Sequence, residues 1–430
     1  MSLLSKEVLK NAGKLGVSSL NPFQSQAVSK ILSSKNTVML GEPGIGKTLT
    51  YVLAISSLAT LLPCTPPQRF VYSSLFTPPT KPNPVSRPHG SLVILPTQEK
   101  CSEVFRKFRV LAPWLNVKRL PSSMSSFIGM FLLPPDNFSN SEELESEGLK
   151  NLVQGVEWER TDVLITTPAS LQEFMDCRQG LRMSSINPAH IVIDEIDWIF
   201  EYGDSCKSLR KSFEFIEDCK DKQFILSSSI LPYSGISPNP LAVLNKEFDR
   251  LETVSSEKWS KIPEDLKINF YVSSEDTPKM QTLARILEEK EKTEKILIFS
   301  NHLSRCFDIR NLCNEQGIDS ILLAPNIPFE ERFWDFITGV GSNKVIVGNE
   351  LACRGFDIQA DHVVLYNLPS SVSSLVNRIG TVRASGSVSI FLETEEEKFK
   401  ESFKPGESWA SLFESFPQAK TKKVHSLFPE

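Results

Sequence analysis

The chain has 430 residues, of which 40% are hydrophobic and 23% are charged, and this composition predicts a globular protein with room for two ordinary domains. No run of about 18 apolar residues occurs, so we predict no membrane-spanning helix. The formal net charge of −5 gives no general attraction to nucleic acid, which argues against a protein that coats DNA but not against a local basic cleft. The eight cysteines include no C-x-x-C pair, which argues against a zinc site or a disulfide framework and favours a reducing compartment.

The N-terminal segment predicts two helices, over residues 2–14 and 25–32, followed by an apolar run at residues 38–40 that is typical of a buried strand. Lysines among the first leucines weakly resemble a mitochondrial transit peptide, although an amphipathic helix of the fold explains them better. We therefore expect an intracellular protein of the nucleus or cytoplasm and keep the mitochondrion as an open alternative.

The segment after this strand fits the phosphate-loop pattern G-x-x-x-x-G-K-[ST] and precedes a predicted helix. Its residues are Gly41, Glu42, Pro43, Gly44, Ile45, Gly46, Lys47 and Thr48. Glycines allow backbone N–H groups to turn towards phosphate oxygens, and the N-terminus of the following helix adds a positive dipole end. We expect the loop to bind a nucleotide, with Lys47 on the outer phosphates and Thr48 holding Mg²⁺.

Another apolar strand, at residues 191–193, ends in the carboxylates Asp194 and Glu195. The last side chains of a buried strand reach the carboxyl edge of a parallel sheet, where ligands bind. We therefore expect Asp194 to hold Mg²⁺ opposite Thr48, and Glu195 to orient or activate the attacking water.

Short apolar runs alternate with helical stretches in two series, which predicts two β-α-β units with parallel sheets. The runs lie at residues 38–40, 91–95, 163–165, 191–193 and 224–226, and then at 296–299, 320–323, 345–347, 363–366 and 388–391. We predict a first lobe over residues 1–254, a polar linker over 255–265, a second lobe over 266–394 and a charged C-terminal tail over 395–430. A segment rich in proline and serine, residues 63–90, predicts an irregular surface insertion.

The sequence Asp194-Glu195-Ile196-Asp197 resembles the Asp-Glu-Ala-Asp signature of DEAD-box RNA helicases. Other motifs of that family follow in family order from about residue 3 to residue 392. Pro22-Phe23-Gln24 resembles the Q motif, Pro96-Thr97-Gln98-Glu99 the Pro-Thr-Arg-Glu element, Thr167-Pro168-Ala169-Ser170 the Thr-Pro-Gly-Arg element, Ile298-Phe299-Ser300-Asn301 the first motif of the second lobe, Arg354-Gly355-Phe356-Asp357 the Arg-Gly-x-Asp motif, and Asn377-Arg378-Ile379-Gly380 the start of the His-Arg-Ile-Gly-Arg-x-x-Arg motif. Each motif alone is weak, whereas the ordered set is specific.

The resemblance implies two tandem RecA-like α/β lobes joined by a short linker, with ATP and Mg²⁺ as ligands. Gln24 would then bind the adenine edge and Asp357 the ribose, while Arg378 and Arg383 would act on the phosphates from the second lobe. RNA would lie across both lobes, held by its backbone rather than by base edges. Its expected contacts are Pro96, Thr97, Thr167, Pro168 and Arg332.

Several positions depart from the family pattern, mainly where hydrolysis is linked to strand separation. Ile230 replaces the threonine of the Ser-Ala-Thr motif, and Asn377 replaces the histidine of the last motif. One arginine of the last motif is missing, and Arg383 fits the other only after a one-residue deletion. Gln98 and Ser170 replace arginines that would grip RNA.

An aromatic residue that would stack on adenine is also absent upstream of the Q motif, where only Leu3, Leu4 and Val8 are available.

We expect a DEAD-box ATP-dependent RNA helicase, an enzyme that hydrolyses ATP to remodel RNA or ribonucleoprotein and whose activity these departures weaken. The alternative is an ATP-gated RNA clamp or assembly scaffold with little or no hydrolysis. A DNA translocase is a third hypothesis, against which the Q motif argues. We expect a monomer with RNA as its partner, and protein partners in RNA processing or ribosome assembly.

Overall fold

The computed structural model describes residues 4–61, 90–121, 161–180, 186–201, 203–216, 218–230, 248, 250–259, 261–273, 275–290, 294–323, 345–349, 353 and 358–412. Helices and strands are numbered below in chain order within these ranges. Asp357, Arg332 and nearly all of the predicted insertion at 63–90 lie outside the described residues. Within the described ranges, no helix is long and apolar enough to cross a bilayer.

The first lobe contains a parallel sheet whose seven described strands follow the spatial order β3-β4-β2-β5-β6-β1-β7. The strands are β1 Thr37–Leu40, β2 Ser91–Ile94, β3 Val117–Arg119, β4 Val163–Thr166, β5 His190–Ile193, β6 Gln223–Ser228 and β7 Glu252–Ser255. The helices are α1 Lys6–Ala12, α2 Pro22–Leu32, α3 Lys47–Leu61, α4 Gln98–Leu111, α5 Pro168–Gly180, α6 Ile196–Glu201 and α7 Gly203–Phe213, with 3-10 turns at Gly13–Leu15 and Cys219–Asp221.

Alternating strand residues of this sheet belong to two separate hydrophobic clusters, one for each face. Ile191 and Ile193 pack with apolar residues of α5, α6 and α7, whereas Val192 packs with residues of α1 to α4. Strands buried on both faces are continuously apolar, which is why short apolar runs predict them. Helices therefore cover both faces of the sheet, and its carboxyl edge is left for the loops that follow each strand.

The second lobe contains another parallel sheet, whose six described strands follow the order β10-β11-β9-β12-β13-β8. The strands are β8 Lys267–Val272, β9 Ile296–Phe299, β10 Ser320–Leu323, β11 Val345–Gly348, β12 Ala360–Leu365 and β13 Val382–Leu392. The helices are α8 Asp276–Glu289, α9 Leu303–Glu315, α10 Val372–Ile379 and α11 Phe399–Ser402, with 3-10 turns at Thr394–Glu396 and Trp409–Leu412. The predicted fold class, two tandem α/β lobes with parallel sheets, is confirmed.

The segments that the sequence assigned to the linker and the tail contact one another. Ile262 is fully buried in the core cluster of the second lobe, together with Phe399, Phe403 and Trp409 from the segment after residue 394. The backbone N–H of Ile262 donates to the Glu407 carbonyl at 2.8 Å. The predicted linker and the tail, up to Leu412, thus contribute apolar side chains to the second lobe.

Candidate functional site

A cavity of about 490 Å³ lies between the lobes, at the carboxyl edge of the first sheet. The first lobe lines it with Leu15, Asn21, Gln24, Pro43, Gly44, Ile45, Gly46, Lys47, Thr48, Leu49, Lys100, Glu103, Lys107, Asp194, Glu195 and Ser229. The second lobe lines it with Phe299, Cys353, Ile358, Gln359, Asn377, Arg378, Gly380 and Thr381. Most of the predicted nucleotide-site residues that the structure describes therefore line this one cavity.

The phosphate loop connects β1 to α3, and two of its glycines have backbone angles that other residues rarely adopt. The φ angles are +85° at Gly44 and +93° at Gly46. A Cβ atom on Gly46 would also overlap the Gln24 side-chain amide. Asn21 Nδ2 donates to the Ile45 carbonyl at 3.1 Å, so the Q-motif segment holds the loop from the side.

Gln24 and Asn21 form a reciprocal cap at the start of α2. The Gln24 backbone N–H donates to Asn21 Oδ1 at 2.8 Å, and the Asn21 backbone N–H donates to Gln24 Oε1 at 3.0 Å. An Asn side chain that accepts from the third helical residue is a strong start signal. The cap fixes Gln24, which lines the cavity. Leu4 and Val8, two of the leucine and valine candidates for contacting a base, are instead buried in the core.

Lys47 is buried, and its ammonium group donates to three oxygens. Nζ lies 2.5 Å from the Gly41 carbonyl, 3.1 Å from the Glu42 carbonyl and 3.1 Å from Ser229 Oγ. Burial lowers the pKa of Lys47, while the carboxylates of Asp194, Asp197, Glu195 and Glu42 act in the opposite direction. The lysine is thus held at the entrance of α3, where incoming phosphate oxygens would replace these acceptors.

Asp194 gathers four donors around one carboxylate at the end of β5. Its Oδ2 accepts from Thr48 Oγ1 and from the Tyr51 hydroxyl, each at 3.0 Å. Its Oδ1 accepts from the Ser227 hydroxyl and, at 3.0 Å, from the Glu195 backbone N–H. Mg²⁺ binds oxygen ligands, commonly one or two carboxylates together with substrate phosphates. The adjacent Thr48 hydroxyl and Asp194 carboxylate fit this chemistry.

Glu195 occupies a left-handed backbone conformation, with a φ angle of +48°. Such a conformation costs a non-glycine residue on the order of 1–3 kcal/mol and is concentrated at functional sites. The backbone N–H of Glu195 donates to the Asp194 carboxylate at the end of β5, and the Glu195 side chain lines the cavity. The turn after the strand thereby directs a second carboxylate to the nucleotide space.

The wall from the second lobe contains Arg378 but not Arg383. Arg378 Nη2 donates to Asn301 Oδ1 at 2.8 Å, and its guanidinium carbon lies 5.5 Å from the centre of the Phe299 ring. Arg383 instead forms an ion pair with Asp361, with 61% of its side chain exposed. The structure therefore brings one of the two predicted arginines to the cavity.

The four predicted RNA-contacting residues that the structure describes lie at the carboxyl ends of the neighbouring strands β2 and β4. Thr97 and Thr167 each cap the helix that follows, since their hydroxyls accept from the backbone N–H of Lys100 at 3.2 Å and of Ser170 at 3.3 Å. Pro96 and Pro168 are buried beside them.

The two positions that replaced arginines, Gln98 and Ser170, contact each other. Gln98 Nε2 donates to Ser170 Oγ at 3.0 Å. The Gln98 amide therefore forms a hydrogen bond within the protein and adds no positive charge to this surface.

Asp197 connects the lobes. One of its carboxylate oxygens accepts from Ser228 Oγ at 2.7 Å in the first lobe, and the other accepts from Ser373 Oγ at 2.8 Å in the second. Ile230, just beyond β6, belongs to the apolar core cluster of the second lobe. The residue that replaced the expected threonine thus packs across the interface.

Several site residues were not predicted from the sequence. Asn21 directly precedes the Q motif, and Ser229 lies within the segment that aligns with the Ser-Ala-Thr motif, so both are close to residues that the sequence does single out. Tyr51 and Lys100 lie inside α3 and α4, where nothing in the sequence distinguishes them from helix residues that face the core or solvent. Ser373 is visible as an interface residue only once the two lobes are seen together.

Comparisons with known proteins agree with this architecture. A family model described as DEAD/DEAH box helicase matches residues 21–235, and one described as Helicase conserved C-terminal domain matches residues 278–385. The ATP-dependent RNA helicase RhlB of Shewanella denitrificans is 25% identical over 401 residues, which is 91% of this chain and 81% of the relative. The DEAD-box ATP-dependent RNA helicase 39 of Arabidopsis thaliana is 22% identical over 423 residues, 95% of this chain and 61% of the relative.

Solved structures share the fold. S. cerevisiae Dbp5 bound to RNA and ADP BeF3 superposes with a TM-score of 0.62 at 15% identity, covering 98% of this chain and 93% of that one. The DEAD-box helicase Mss116 bound to ssRNA and UDP-BeF gives a TM-score of 0.66 at 15% identity, covering 96% of this chain and 81% of that one.

Proposed function

This chain belongs to the DEAD/DEAH-box helicase family, and we propose that it binds ATP with Mg²⁺, closes on RNA, and hydrolyses ATP slowly to remodel RNA or ribonucleoprotein. The observation that carries the proposal is the single cavity shared by the phosphate loop, the Asp194-Glu195 pair and Arg378. A loop, two carboxylates and a guanidinium from separate elements are the parts that nucleotide hydrolysis requires. The relatives named as ATP-dependent RNA helicases support the same activity.

The nucleotide would lie with its base at Gln24 and its phosphates at the start of α3. Gln24 offers an amide donor and an acceptor that complement the N6 and N7 edge of adenine. The Gly41–Thr48 loop and Lys47 would bind the phosphates, with Asp357 on the ribose. Thr48 and Asp194 would hold Mg²⁺, which neutralises phosphate charge when bound.

Glu195 would orient the attacking water and accept its proton as the water oxygen attacks the terminal phosphorus. The bond from that phosphorus to the bridging oxygen breaks, and ADP and phosphate leave. Arg378 would stabilise the charge that develops on the phosphate oxygens. Arg383 would join it only after leaving Asp361, which is one physical reason to expect slow turnover.

RNA would cross the N-terminal ends of α4 and α5, where Thr97 and Thr167 cap the helices. Free N–H groups and the helix dipole at such ends bind phosphates without recognising sequence. The buried prolines Pro96 and Pro168 would shape this edge, and Arg332 would extend the contact to the second lobe. Because Gln98 and Ser170 carry no charge, we expect RNA affinity to depend less steeply on salt than arginines would make it.

A second candidate, an ATP-gated RNA clamp with little or no hydrolysis, is favoured by the lobe interface. Ile230 and the Asp197 bridge hold the lobes together without the expected threonine or histidine. Protein partners, the monomeric state and the cellular compartment stay predictions.

The two candidates share ATP-dependent RNA binding and differ in turnover. We would measure RNA affinity with ATP analogue, ADP or no nucleotide, and ATP hydrolysis with and without single-stranded RNA. Tighter RNA binding with the analogue, together with hydrolysis that RNA stimulates, supports the helicase. The same RNA binding without measurable hydrolysis supports the clamp. An RNA affinity that is the same with ATP analogue, with ADP and without nucleotide contradicts both candidates.

A further inference from the structure

Lys100 is a buried lysine in the wall of the nucleotide cavity, and the proposed roles above do not use it. It lies in the first turn of α4, and only 9% of the residue is exposed. Lysine is rarely buried to this extent unless it is paired. Its partner is Glu103, whose Oε2 lies 3.0 Å from Lys100 Nζ and which lines the same cavity.

Glu103 has a second cationic partner, because the Lys107 ammonium contacts its other carboxylate oxygen. The group formed by Lys100, Glu103 and Lys107 therefore has two positive charges and one negative charge. If Lys100 turned towards another anion, Glu103 would keep Lys107 and would not be left as an unpaired buried charge. Removing one cation from a singly paired buried carboxylate is costly, and this arrangement avoids that cost.

Lys100 also lies close to the carboxylates at the end of β5. Burial on its own would lower the pKa of Lys100, but Glu103, Asp194 and Glu195 outweigh burial and raise it. The ammonium is therefore charged at neutral pH. Lys47 is subject to the field of the same two carboxylates, Asp194 and Glu195, from the phosphate loop. Lys47 and Lys100 are thus two buried cations from different helices that line the same cavity as Asp194 and Glu195.

We propose that Lys100 is a further phosphate-contacting residue, whose ammonium binds the terminal phosphate of ATP and stabilises the charge that develops there during hydrolysis. The inference rests on the proposed nucleotide function of the cavity. A fixed cation at that position acts as an arginine finger does, without reorganisation at the moment of reaction. It supplies in cis a charge that Arg383, paired with Asp361, does not bring to the cavity lining.

The role predicts discrimination between nucleotides that differ only in the terminal phosphate. In the full-length protein, Lys100→Met should weaken binding of AMP-PNP with Mg²⁺ roughly tenfold to a hundredfold, because a hydrogen bond to a charged group is lost. Binding of ADP should change little, and kcat should fall with the AMP-PNP affinity. Lys100→Arg, which keeps the charge, should recover part of both losses. The affinities would be measured by calorimetry.

Two variants separate this role from mere support of α4. Arg109→Met removes a positive charge from an exposed position of the same helix that does not line the cavity, and should leave the ratio of the two affinities unchanged. Glu103→Gln frees Lys100 from its ion pair and should leave the AMP-PNP affinity unchanged or raise it. If the ion pair were only structural, Glu103→Gln would lose AMP-PNP affinity as Lys100→Met does. Thermal unfolding of each variant controls for folding. If Lys100→Met does not fold, the AMP-PNP and ADP affinities of Glu103→Gln and Lys100→Arg test the role of Lys100 instead.

Equal losses for AMP-PNP and ADP, or none, in Lys100→Met would overturn the role of Lys100 while leaving nucleotide binding intact. A Glu103→Gln variant that loses AMP-PNP selectively would also overturn it. Failure of the unmodified protein to bind either nucleotide would overturn the proposed function, and this inference with it.

Discussion

At the scale of one residue, Lys47 donates to three oxygen atoms of the protein. A bound phosphate group would have to replace these acceptors. The Gly41 and Glu42 carbonyls belong to the loop itself, and Ser229 directly follows β6. Binding of a nucleotide would thus alter a contact between the loop and the segment that leads to Ile230. In the proposed function, the same lysine would contact phosphate and lose a hydrogen bond near the lobe interface.

We predict that Lys47→Ala abolishes ATP binding at micromolar nucleotide, because the charge-assisted bonds to the outer phosphates are lost. Titration with a fluorescent nucleotide measures it. Lys207→Ala is the control, since that side chain is 71% exposed on α7. Unchanged affinity in Lys47→Ala would reject the phosphate-loop assignment.

A second prediction concerns Gln24, which serves both the cap of α2 and the proposed base contact. ATP should bind more tightly than GTP, and Gln24→Ala should narrow that preference and also lower stability by about 1 kcal/mol, because the Asn21 N–H loses its acceptor Gln24 Oε1. Gln24→Glu keeps an acceptor for the Asn21 N–H but loses the amide donor, so it should narrow the preference with less effect on the cap. Competition binding and thermal unfolding give the two readouts. Equal wild-type affinity for ATP and GTP would contradict the assignment.

Many residues of the site are predictable from the sequence because their chemistry is local to a motif. The phosphate loop, Asp194 and Glu195 are recognisable from composition and from the strand that precedes them. Lys100 was missed because its role depends on how α4 lies against β5, which no local pattern records. Arg383 was aligned by motif spacing, yet the start of β13 leaves it beside Asp361.

At the scale of elements, the apolar runs predicted ten of the described strands and missed three, each at the edge of its sheet. Each predicted run coincides with a strand from β1 to β13, whereas β3, β7 and β8 were not predicted. The strand β3 has three residues, and β7 and β8 bury little, with alternating half-exposed positions. An edge strand lacks a neighbour on one side and need not be continuously hydrophobic, so the pattern that predicts buried strands fails for β3, β7 and β8. The strand β10, at the other end of the second sheet, is buried along its length and was predicted.

One histidine in each sheet gives a prediction about pH. His190 Nδ1 lies 3.1 Å from Ser91 Oγ between β5 and β2, and His362 Nδ1 lies 2.6 Å from Ser387 Oγ between β12 and β13. Burial lowers the pKa of both side chains to about 4. In the unfolded chain the pKa is about 6.5, so between these values the unfolded state binds more protons than the folded state.

Stability from these histidines is therefore fully present above about pH 6.5 and is lost as the pH falls towards 4. We expect the loss to be roughly 1–3 kcal/mol for each histidine. Urea unfolding at pH 7 and at pH 5 measures it. His190→Gln and His362→Gln should each reduce the difference between the two pH values, and an undiminished difference in both would show that other groups cause it.

At the scale of the whole molecule, the two lobes meet through a few specific contacts that two separately predicted lobes do not reveal. Asp197 accepts hydroxyl hydrogens from both lobes, and Ile230 packs into the second core. Gly380 lies against the Pro43 ring of the phosphate loop. The sequence predicted each lobe through its strands, but the interface required both lobes in one structure.

Gly380 gives a test of closure. Its φ angle of −63° suits any residue, but a Cβ atom would overlap the Pro43 ring, so Gly380→Ala should hold the lobes apart without straining its own backbone. We expect ATP binding to persist and kcat in the presence of RNA to fall on the order of a hundredfold, because the arginine side of the cavity is misplaced.

The control is Gly13→Ala, since no atom lies within 4 Å of a Cβ atom placed there. Steady-state hydrolysis and the distance between dyes on the two lobes are the measurements. A Gly380→Ala protein that closes and hydrolyses normally would show that the interface seen here is not the active one.

The anchoring of the linker at both ends limits how far the lobes can travel. Ser256 donates its backbone N–H to the Leu40 carbonyl and its hydroxyl to Glu42, and Ile262 is held by the Glu407 carbonyl. While those bonds persist, six residue steps join the lobes, a tether of roughly 20–22 Å at full extension. An open form therefore keeps the β7 edge and the segment around Glu407 as neighbours. The opposite side, where Thr97 and Thr167 lie, is free to swing through a wider arc.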